Sequence, residues 1–180
     1  MVSLHTFPYK NMPKASFSKF KVSKSHIDGV GLYVVNSYKR GEFIDYIDGE
    51  KVVIKKFTPT LSKIGWNWIG TSRFTWINTD KSPFRFINHS CDPNVAIRGE
   101  RTVYALKPIT AGEEITMDYS LTECQDDWLI PKCHCGSKNC RKIIRAIQYL
   151  DQSIFNQKRQ SIPKRFQEIF INSKRRTIKN

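Results

Sequence analysis

The chain has 180 residues, of which 39% are hydrophobic and 12% aromatic, so it can bury the core of one ordinary domain and is not globally disordered. Its formal net charge of +14 favours polyanionic partners, above all nucleic acid, although a solvated basic surface explains the same charge. The sequence has neither an apolar run of bilayer length nor the apolar stretch of a secretory signal, so we expect an intracellular protein without a membrane partner.

Most of the chain has the pattern of a β protein. Residues 1–16 are polar and contain two prolines, which predicts a flexible lead-in. Beyond them, short runs rich in β-branched and aromatic residues alternate with glycine-containing turns, a pattern typical of small sheets rather than of a helical bundle. The predicted strands cover residues 32–35, 43–47, 52–54, 66–69, 74–77, 95–97, 103–106 and 115–117.

Helix signals appear only after residue 140. A first apolar face has helical spacing and consists of Ile143, Ile144, Ile147 and Leu150. Pro163 suits the first turn of a second helix. The apolar side of that second helix consists of Ile162, Phe166, Ile169 and Phe170. The basic residues 173–180 are predicted to fray, and residues 151–180 contain eight Lys or Arg against two Asp or Glu, a net charge of +6.

The chain contains five cysteines, and Cys133, Cys135 and Cys140 form the pattern C-x-C-x4-C. Three thiols so close along the chain can surround one metal ion, and structural zinc prefers four such ligands. The intervening histidine is poorly placed to join them, so the fourth ligand is expected from elsewhere, with Cys91 and Cys124 both available. Buried free thiols and a redox role are the alternative interpretations. A metal site rather than disulfides favours a reducing compartment, the cytoplasm or the nucleus.

Residues 85–94 combine an apolar pair with four consecutive polar residues and a turn-forming Asp-Pro-Asn. A histidine such as His89 is more often a satisfied structural residue than a catalyst, and Asn88 alone fits a turn. Local evidence therefore leaves a structural and a functional interpretation open.

The ordered set of short motifs along the chain is more informative than any one of them. Residues 86–94 (FINHSCDPN) resemble the core signature of the SET-domain protein-lysine methyltransferases. Residues 29–33 (GVGLY) resemble the G-x-G element of that family, and residues 46–50 (YIDGE) its Y-x-G-E strand with one extra residue. Residues 109–119 (ITAGEEITMDY) resemble its G-E-E-[LI]-x-x-D-Y element, and residues 133–141 (CHCGSKNCR) its post-SET motif.

The resemblance implies a mostly β fold (β+α), the SET fold, with several small β-sheets around a pseudoknot, a post-SET zinc knot and C-terminal helices. Threaded topologies are rare, so strand patterns alone do not predict the pseudoknot. The implied organisation is a SET domain over residues 17–120, a post-SET zinc segment over residues 121–145, and a C-terminal helical extension with a basic tail over residues 146–180.

The resemblance also implies transfer of a methyl group from S-adenosylmethionine to the ε-amine of a target lysine. Tyr119 is then the catalytic tyrosine, and Tyr46 lines the channel for the lysine. The implied cofactor-binding residues are Gly29, Val30, Gly31, Tyr33, Asn88, His89, Tyr119 and Ile143. The implied zinc ligands are Cys91, Cys133, Cys135 and Cys140, which leaves Cys124 as a free thiol.

The expected partner is a protein with an exposed lysine, such as a histone or a nucleosome, and the basic tail could add non-specific contact with DNA. A small stand-alone member that is a bacterial effector would act in the nucleus of its host. Two alternatives stay open, a catalytically silent SET-fold module that binds peptide or cofactor, and a basic zinc-containing protein that binds nucleic acid. The sequence does not define an oligomeric state.

Overall fold

The structure is a computed structural model that describes residues 17–55 and 67–177. In these two ranges, twelve short strands form four small sheets, and two α-helices follow near the C-terminus. The strands are β1 (Phe20–Lys24), β2 (Val30–Val34), β3 (Phe43–Tyr46), β4 (Glu50–Val53), β5 (Ile69–Ser72), β6 (Thr75–Asn78), β7 (Asn88–His89), β8 (Val95–Arg98), β9 (Thr102–Ala105), β10 (Glu114–Met117), β11 (Leu129–Ile130) and β12 (Ile144–Arg145). The helices are α1 (Gln152–Lys158) and α2 (Lys164–Thr177).

The predicted mostly β architecture is confirmed. Every predicted strand overlaps an observed one, although the strand expected over residues 66–69 begins only at Ile69 and its first residue lies outside the described ranges. Missed were β1 and the strands β7, β11 and β12, of which the last three have two residues each. Strands of that length carry no periodicity of their own and exist only because a partner pairs with them. The predicted lead-in over residues 1–16 also lies outside the described ranges.

Strand β10 organises the sheet that matters for function, whose order is β1-β2-β10-β7. It pairs with β2 in antiparallel fashion and with β7 in parallel fashion, with Thr116 opposite Asn88 and Met117 opposite His89. The Ser90 N–H continues this pairing by donating to the Met117 carbonyl at 2.9 Å. Two segments far apart in sequence therefore run side by side up to Tyr119. A pseudoknot requires this contact, and the threading itself stays a prediction.

The main hydrophobic core lies among the sheets, where Leu32, Ile77 and Ile115 are completely buried. A second core joins the two helices to the segment that follows β10. There Phe155 of α1 stacks on Phe170 of α2, with ring centroids 3.9 Å apart, and the cluster includes Leu121 and Cys124. The C-terminal helices therefore pack directly against the chain that leaves Tyr119.

The first predicted helix is wrong. Ile144 lies in β12, opposite Ile130 of β11, while Ile147 begins a short 3-10 turn that ends at Tyr149. Ile144, Ile147 and Leu150 are still buried, as their apolar pattern predicted, but a strand and a turn bury them. Lys142 just before them has a φ of 66°, a left-handed conformation that stops a helix from starting there.

The second predicted helix is confirmed as α2, which follows Pro163 and buries Phe166 and Phe170. The prediction that the chain frays from residue 173 is wrong, because α2 continues to Thr177. Residues 178–180 lie outside the described ranges. Helix α1 was missed, since its seven residues bury only Phe155. Within residues 17–55 and 67–177, neither helix is long and apolar enough to cross a bilayer.

Candidate functional site

Three thiols and one imidazole converge at a single point of the structure. The sulfur atoms of Cys91, Cys133 and Cys135 and a ring nitrogen of His89 all lie within 4.8 Å of one another. Cys140, the fourth predicted ligand, lies beside this group, with its sulfur 3.8 Å from the Cys133 carbonyl oxygen. The four cysteines that the resemblance grouped are therefore neighbours in space, although residues 91 and 133 are far apart in sequence.

These thiols differ in how readily they ionise, and burial raises the pKa of both Cys91 and Cys133. Burial disfavours ionisation of Cys135, but hydrogen bonds from the Cys91 N–H and from Ser137 outweigh it and lower the pKa of this thiol to about 6. The N–H and Nε of Arg141 both point at the Cys91 sulfur, at 3.3 and 3.4 Å. Thiolates that accept such hydrogen bonds are the ligands that structural zinc prefers, so this donor set fits zinc.

His89 is part of the group but is oriented as a hydrogen-bond donor. Its Nδ1 accepts the backbone N–H of Tyr119 at 3.2 Å, so the proton of the neutral ring resides on Nε2. Burial, with Arg141 and Lys158 nearby, lowers the pKa of His89 to about 4 despite the attraction of Asp118, so the ring is neutral at pH 7. Nε2 then donates to the Cys91 sulfur at 3.4 Å.

A buried carboxylate stands next to this group. The Asp118 side chain is completely buried, and it pairs with the guanidinium of Arg141 and with Lys158 Nζ, the latter at 2.8 Å. It also accepts the backbone N–H of Ser120 at 3.2 Å, which caps the 3-10 turn over Tyr119–Leu121. Asp118 thus holds the turn that carries Tyr119, and the two cations come from segments further along the chain.

At the start of β10, a second carboxylate, that of Glu114, borders a cradle made by residues 28–31. Glu114 accepts hydrogen bonds from the hydroxyl of Ser25 at 2.9 Å and from the Asn88 amide nitrogen at 2.8 Å. The same nitrogen donates to the backbone carbonyl groups of Asp28 and Val30. Among the described residues nothing donates to the Asn88 amide oxygen, so that oxygen and Glu114 offer acceptors to a ligand with positive charge.

The position of the Glu114 side chain requires a glycine at residue 31. A Cβ atom on Gly31 would lie 2.1 Å from Glu114 Oε1, far inside van der Waals contact. Tyr33, predicted as a cofactor contact, donates instead to the Lys24 carbonyl at 2.8 Å and to Glu114 at 3.3 Å. The small residue of the G-x-G element therefore makes room for a side chain of the protein itself.

Tyr119 lies between the cradle and a deep pocket. Its hydroxyl donates to the carbonyl oxygen of Ile87 at 2.6 Å. Burial, with the carboxylates of Asp28 and Glu114 nearby, raises the pKa of Tyr119 well above its ordinary value, so the hydroxyl keeps its proton at neutral pH. Such a group orients neighbouring atoms through hydrogen bonds and does not act as a base.

The pocket has a volume of about 230 Å³ and is partly open to solvent. Aromatic side chains form much of its wall, and the carboxylates of Glu123 and Asp127 lie among them. Glu123 is partly buried, and loss of solvation raises the pKa of its carboxyl group. The lining consists of Asn67, Trp68, Ile69, Trp76, Phe84, Arg85, Ile87, Met117, Tyr119, Thr122, Glu123, Gln125, Asp127, Trp128 and Leu129. A ligand with a long apolar stem and a cationic end fits such walls.

One predicted site residue, Tyr46, lies apart from this pocket. Tyr46 is not among the described residues that line the pocket; its ring packs on Phe43, with centroids 4.8 Å apart, in the sheet of β3. The role of Tyr46 in a lysine channel therefore stays a prediction of the resemblance. Val30 and Ile143 are 46% and 53% exposed, so both remain accessible to a ligand.

Sequence reasoning missed several residues that the structure brings to the centre. Glu114 belongs to the G-E-E element over residues 109–119, but the resemblance gave it no role of its own. Lys158 had no signal, because it is one of many lysines in the last third of the chain.

Comparisons with known proteins agree on one family. Residues 29–120 match the family model described as the SET domain. The chain is 32% identical over 152 residues to histone-lysine N-methyltransferase trithorax of Drosophila virilis, an overlap of 76% of this chain and 4% of that protein. It is 34% identical over 134 residues to the H3 lysine-4 specific histone-lysine N-methyltransferase of Saccharomyces cerevisiae, with 66% of this chain and 12% of that protein covered.

A structural comparison gives the same fold. The methyltransferase domain of human histone-lysine N-methyltransferase SETMAR superimposes with a TM-score of 0.51 and 24% identity, over 71% of this chain and 58% of that one. At this identity the likeness concerns the fold alone. The chain spans only a small fraction of the curated relatives it matches, 4% and 12% for the two above.

The contact between Gly31 and Glu114 leads to a prediction about stability. Gly31→Ala should lower the free energy of unfolding by about 1–2 kcal/mol, because the new Cβ displaces Glu114 and breaks its hydrogen bonds. In a Glu114→Ala background the same change should cost less than about 0.5 kcal/mol. Urea denaturation of the four proteins of this cycle measures the difference; equal costs in both backgrounds would show that Glu114 is not the obstacle.

Proposed function

Because the chain belongs to the SET domain family, we propose that it is a protein-lysine N-methyltransferase that uses S-adenosylmethionine as methyl donor. The observation that carries the proposal is the position of Tyr119. Tyr119 lines the aromatic pocket, and burial together with the nearby carboxylates of Asp28 and Glu114, which border the cradle, raises the pKa of its hydroxyl. A methyl donor in the cradle and a lysine in the pocket would meet at this residue.

The cradle suits a donor with positive charge. S-adenosylmethionine, when bound, supplies a methyl group on a sulfonium. Glu114 and the Asn88 amide oxygen offer acceptors to the cationic end of such a molecule, and the backbone of residues 29–31 provides the close approach. We assign this binding to Gly29, Val30, Gly31, Asn88 and the exposed Ile143, and add Glu114 to the set.

The pocket would prepare the lysine in two ways. Free lysine has a pKa near 10.4, and the apolar walls formed by Trp68, Trp76 and Trp128 disfavour its ammonium form. The Tyr119 hydroxyl, which Ile87 holds in place, orients the neutral amine without taking a proton from it. Catalysis would then come from alignment and desolvation rather than from a strong base.

We propose that Cys91, Cys133, Cys135 and Cys140 bind one structural zinc ion. The support is the convergence of three of these sulfur atoms, the adjacent position of the fourth, and the orientation of His89 as a donor to Cys91. Zinc bound there would join residue 91, in the segment that carries Asn88, to the loop over residues 133–141, and so would stabilise the wall beside the cradle.

The proposed substrate is a lysine of a histone, because both curated relatives described above are histone-lysine methyltransferases by name. A protein with a charge of +14 repels a free histone tail, whereas the DNA of a nucleosome attracts it. The last turn of α2 carries Lys174, Arg175 and Arg176, of which the two arginines are exposed. We propose that this end of α2 contacts DNA without sequence preference.

The central role of Tyr119 is tested by Tyr119→Phe. Methyl transfer to core histones should fall by about 100-fold or more, because the reacting amine loses the hydroxyl that orients it. Affinity for S-adenosylmethionine should change little. Tyr149→Phe, at a half-exposed tyrosine outside the pocket, is the matched control and should keep full activity. Radiolabel transfer and calorimetric binding measure both; an active Tyr119→Phe protein would overturn the assignment.

Zinc binding is tested by a pair of cysteine variants. The purified protein should contain about one zinc ion per chain, and Cys135→Ala should lose it together with thermal stability. Cys124→Ala should keep the zinc, because Cys124 is buried in the helical core, where burial raises the pKa of its thiol to about 12. Elemental analysis and thermal denaturation measure the outcome. Equal zinc content in the two variants would contradict the proposed ligands.

DNA contact is tested by reversing the charge of Arg175 and Arg176 to glutamate. Activity on nucleosomes in low salt should fall about fivefold or more, while activity on a histone peptide should change less than about twofold. Rising salt should remove the advantage of the wild type on nucleosomes. A parallel loss on both substrates would mean that this end of α2 serves the fold instead of DNA.

A further inference from the structure

Lys158, at the end of α1, reaches the buried carboxylate of Asp118, the residue before Tyr119. Its Nζ donates to the Cys91 carbonyl oxygen at 2.6 Å and to Asp118 Oδ2 at 2.8 Å. The side chain is only 16% exposed. Lysine is rarely buried to this extent unless it is paired. Exposed ion pairs contribute little to stability, whereas this pair is shielded from solvent, so its geometry is expected to matter.

We infer that Lys158 is a positioning residue of the active site, which fixes the Tyr119 turn against the segment that carries Asn88 and His89. The inference rests on the proposed methyltransferase function for its kinetic readout. Lys158 lies outside every segment that resembles a family motif, and it is not part of the exposed basic end of α2.

The two contacts of Lys158 fall on the two segments whose relative position decides the site. Asp118 directly precedes Tyr119 and caps its turn. Cys91 lies two residues after His89, whose ring accepts the Tyr119 N–H. A single ammonium group therefore joins both segments at the point where β7 and β10 end.

Arg141 cannot substitute for Lys158. It binds the other oxygen of Asp118 and the hydroxyl of Ser120, and it contacts Cys91 through the sulfur. Without Lys158, the Cys91 carbonyl and one oxygen of a completely buried carboxylate would lose their donor. Loss of one partner of a buried charge is costly, and relaxation of the turn would relieve part of that cost.

Helix α1 gives Lys158 a rigid base. Phe155, one turn earlier, is buried and stacks on Phe170 of α2, and the same core includes Leu121, two residues after Tyr119. The backbone of Lys158 and the turn it contacts are therefore fixed to one packed cluster. Because its backbone is fixed in this way, Lys158 can keep its ammonium group in one position, which a flexible surface lysine cannot.

The experiment compares Lys158→Met with Lys158→Arg on a peptide substrate, with zinc content measured in parallel. Lys158→Met should lower kcat at least tenfold, while the KM for S-adenosylmethionine changes less than twofold and the zinc remains bound. Lys158→Arg, which keeps the charge and a donor, should stay within about threefold of the wild-type kcat. Lys164→Met, which removes an exposed charge at the start of α2, is the matched control and should leave kcat unchanged.

Hydrogen exchange supplies a readout that needs no activity. Lys158→Met should accelerate amide exchange in residues 117–122 and 88–91, whereas Lys158→Arg and Lys164→Met should not. If Lys158→Met does not fold, Lys158→Gln, which keeps a donor for the Cys91 carbonyl, is measured with the same expectations.

The outcomes separate the two proposals. Unchanged kcat and exchange in the methionine variant, or equal losses in the methionine and arginine variants, would overturn the inference about Lys158. A wild-type protein that transfers no methyl group would instead overturn the proposed function, and the exchange data would then decide on Lys158 alone.

Discussion

The rest of the site depends on the ion pairs and hydrogen bonds of the Asp118 carboxylate. It is completely buried, and a buried charge is tolerated only when it is paired and hydrogen-bonded. Its partners come from three places: the turn of Tyr119, Arg141 after the cysteine loop, and Lys158 at the end of α1. The C-terminal third of the chain is thereby fixed to the strand that carries the proposed catalytic tyrosine.

The cysteine group and the tyrosine share a second link through His89. Its ring accepts the Tyr119 N–H on one side and donates to the Cys91 sulfur on the other, so its neutral form satisfies both. A displacement of the Cys91 sulfur would therefore move Tyr119 through the rigid imidazole ring of His89. Asn88, the neighbour of His89 on β7, turns the opposite way and binds the cradle and Glu114. Two adjacent residues thus serve two separate sites.

Local patterns were enough for much of the fold and for part of the site. Strands bounded by glycine turns and the helix after Pro163 have signals of their own, and motif order grouped Asn88, His89, Tyr119 and the cysteines. The apolar face over residues 143–150 does not form a helix, because Ile144 pairs with β11 in a strand and Ile147 begins a 3-10 turn, an arrangement that no local pattern encodes. The role of Tyr46 stays a prediction, because a motif fixes a strand but not the direction of a ring, which here packs on Phe43.

The distribution of charge explains how a strongly basic chain can present an acidic centre. Glu114 and Asp28 border the cradle, Glu123 and Asp127 line the pocket, and the cations closest to the tyrosine turn, Arg141 and Lys158, are already engaged by Asp118. At close range the carboxylates of the cradle therefore favour a cation, which suits a sulfonium donor, while the apolar walls of the pocket suit the neutral amine of a lysine. At longer range the excess of Lys and Arg dominates and favours polyanions. The two ranges act on different parts of one substrate if the lysine belongs to a protein that is already bound to nucleic acid.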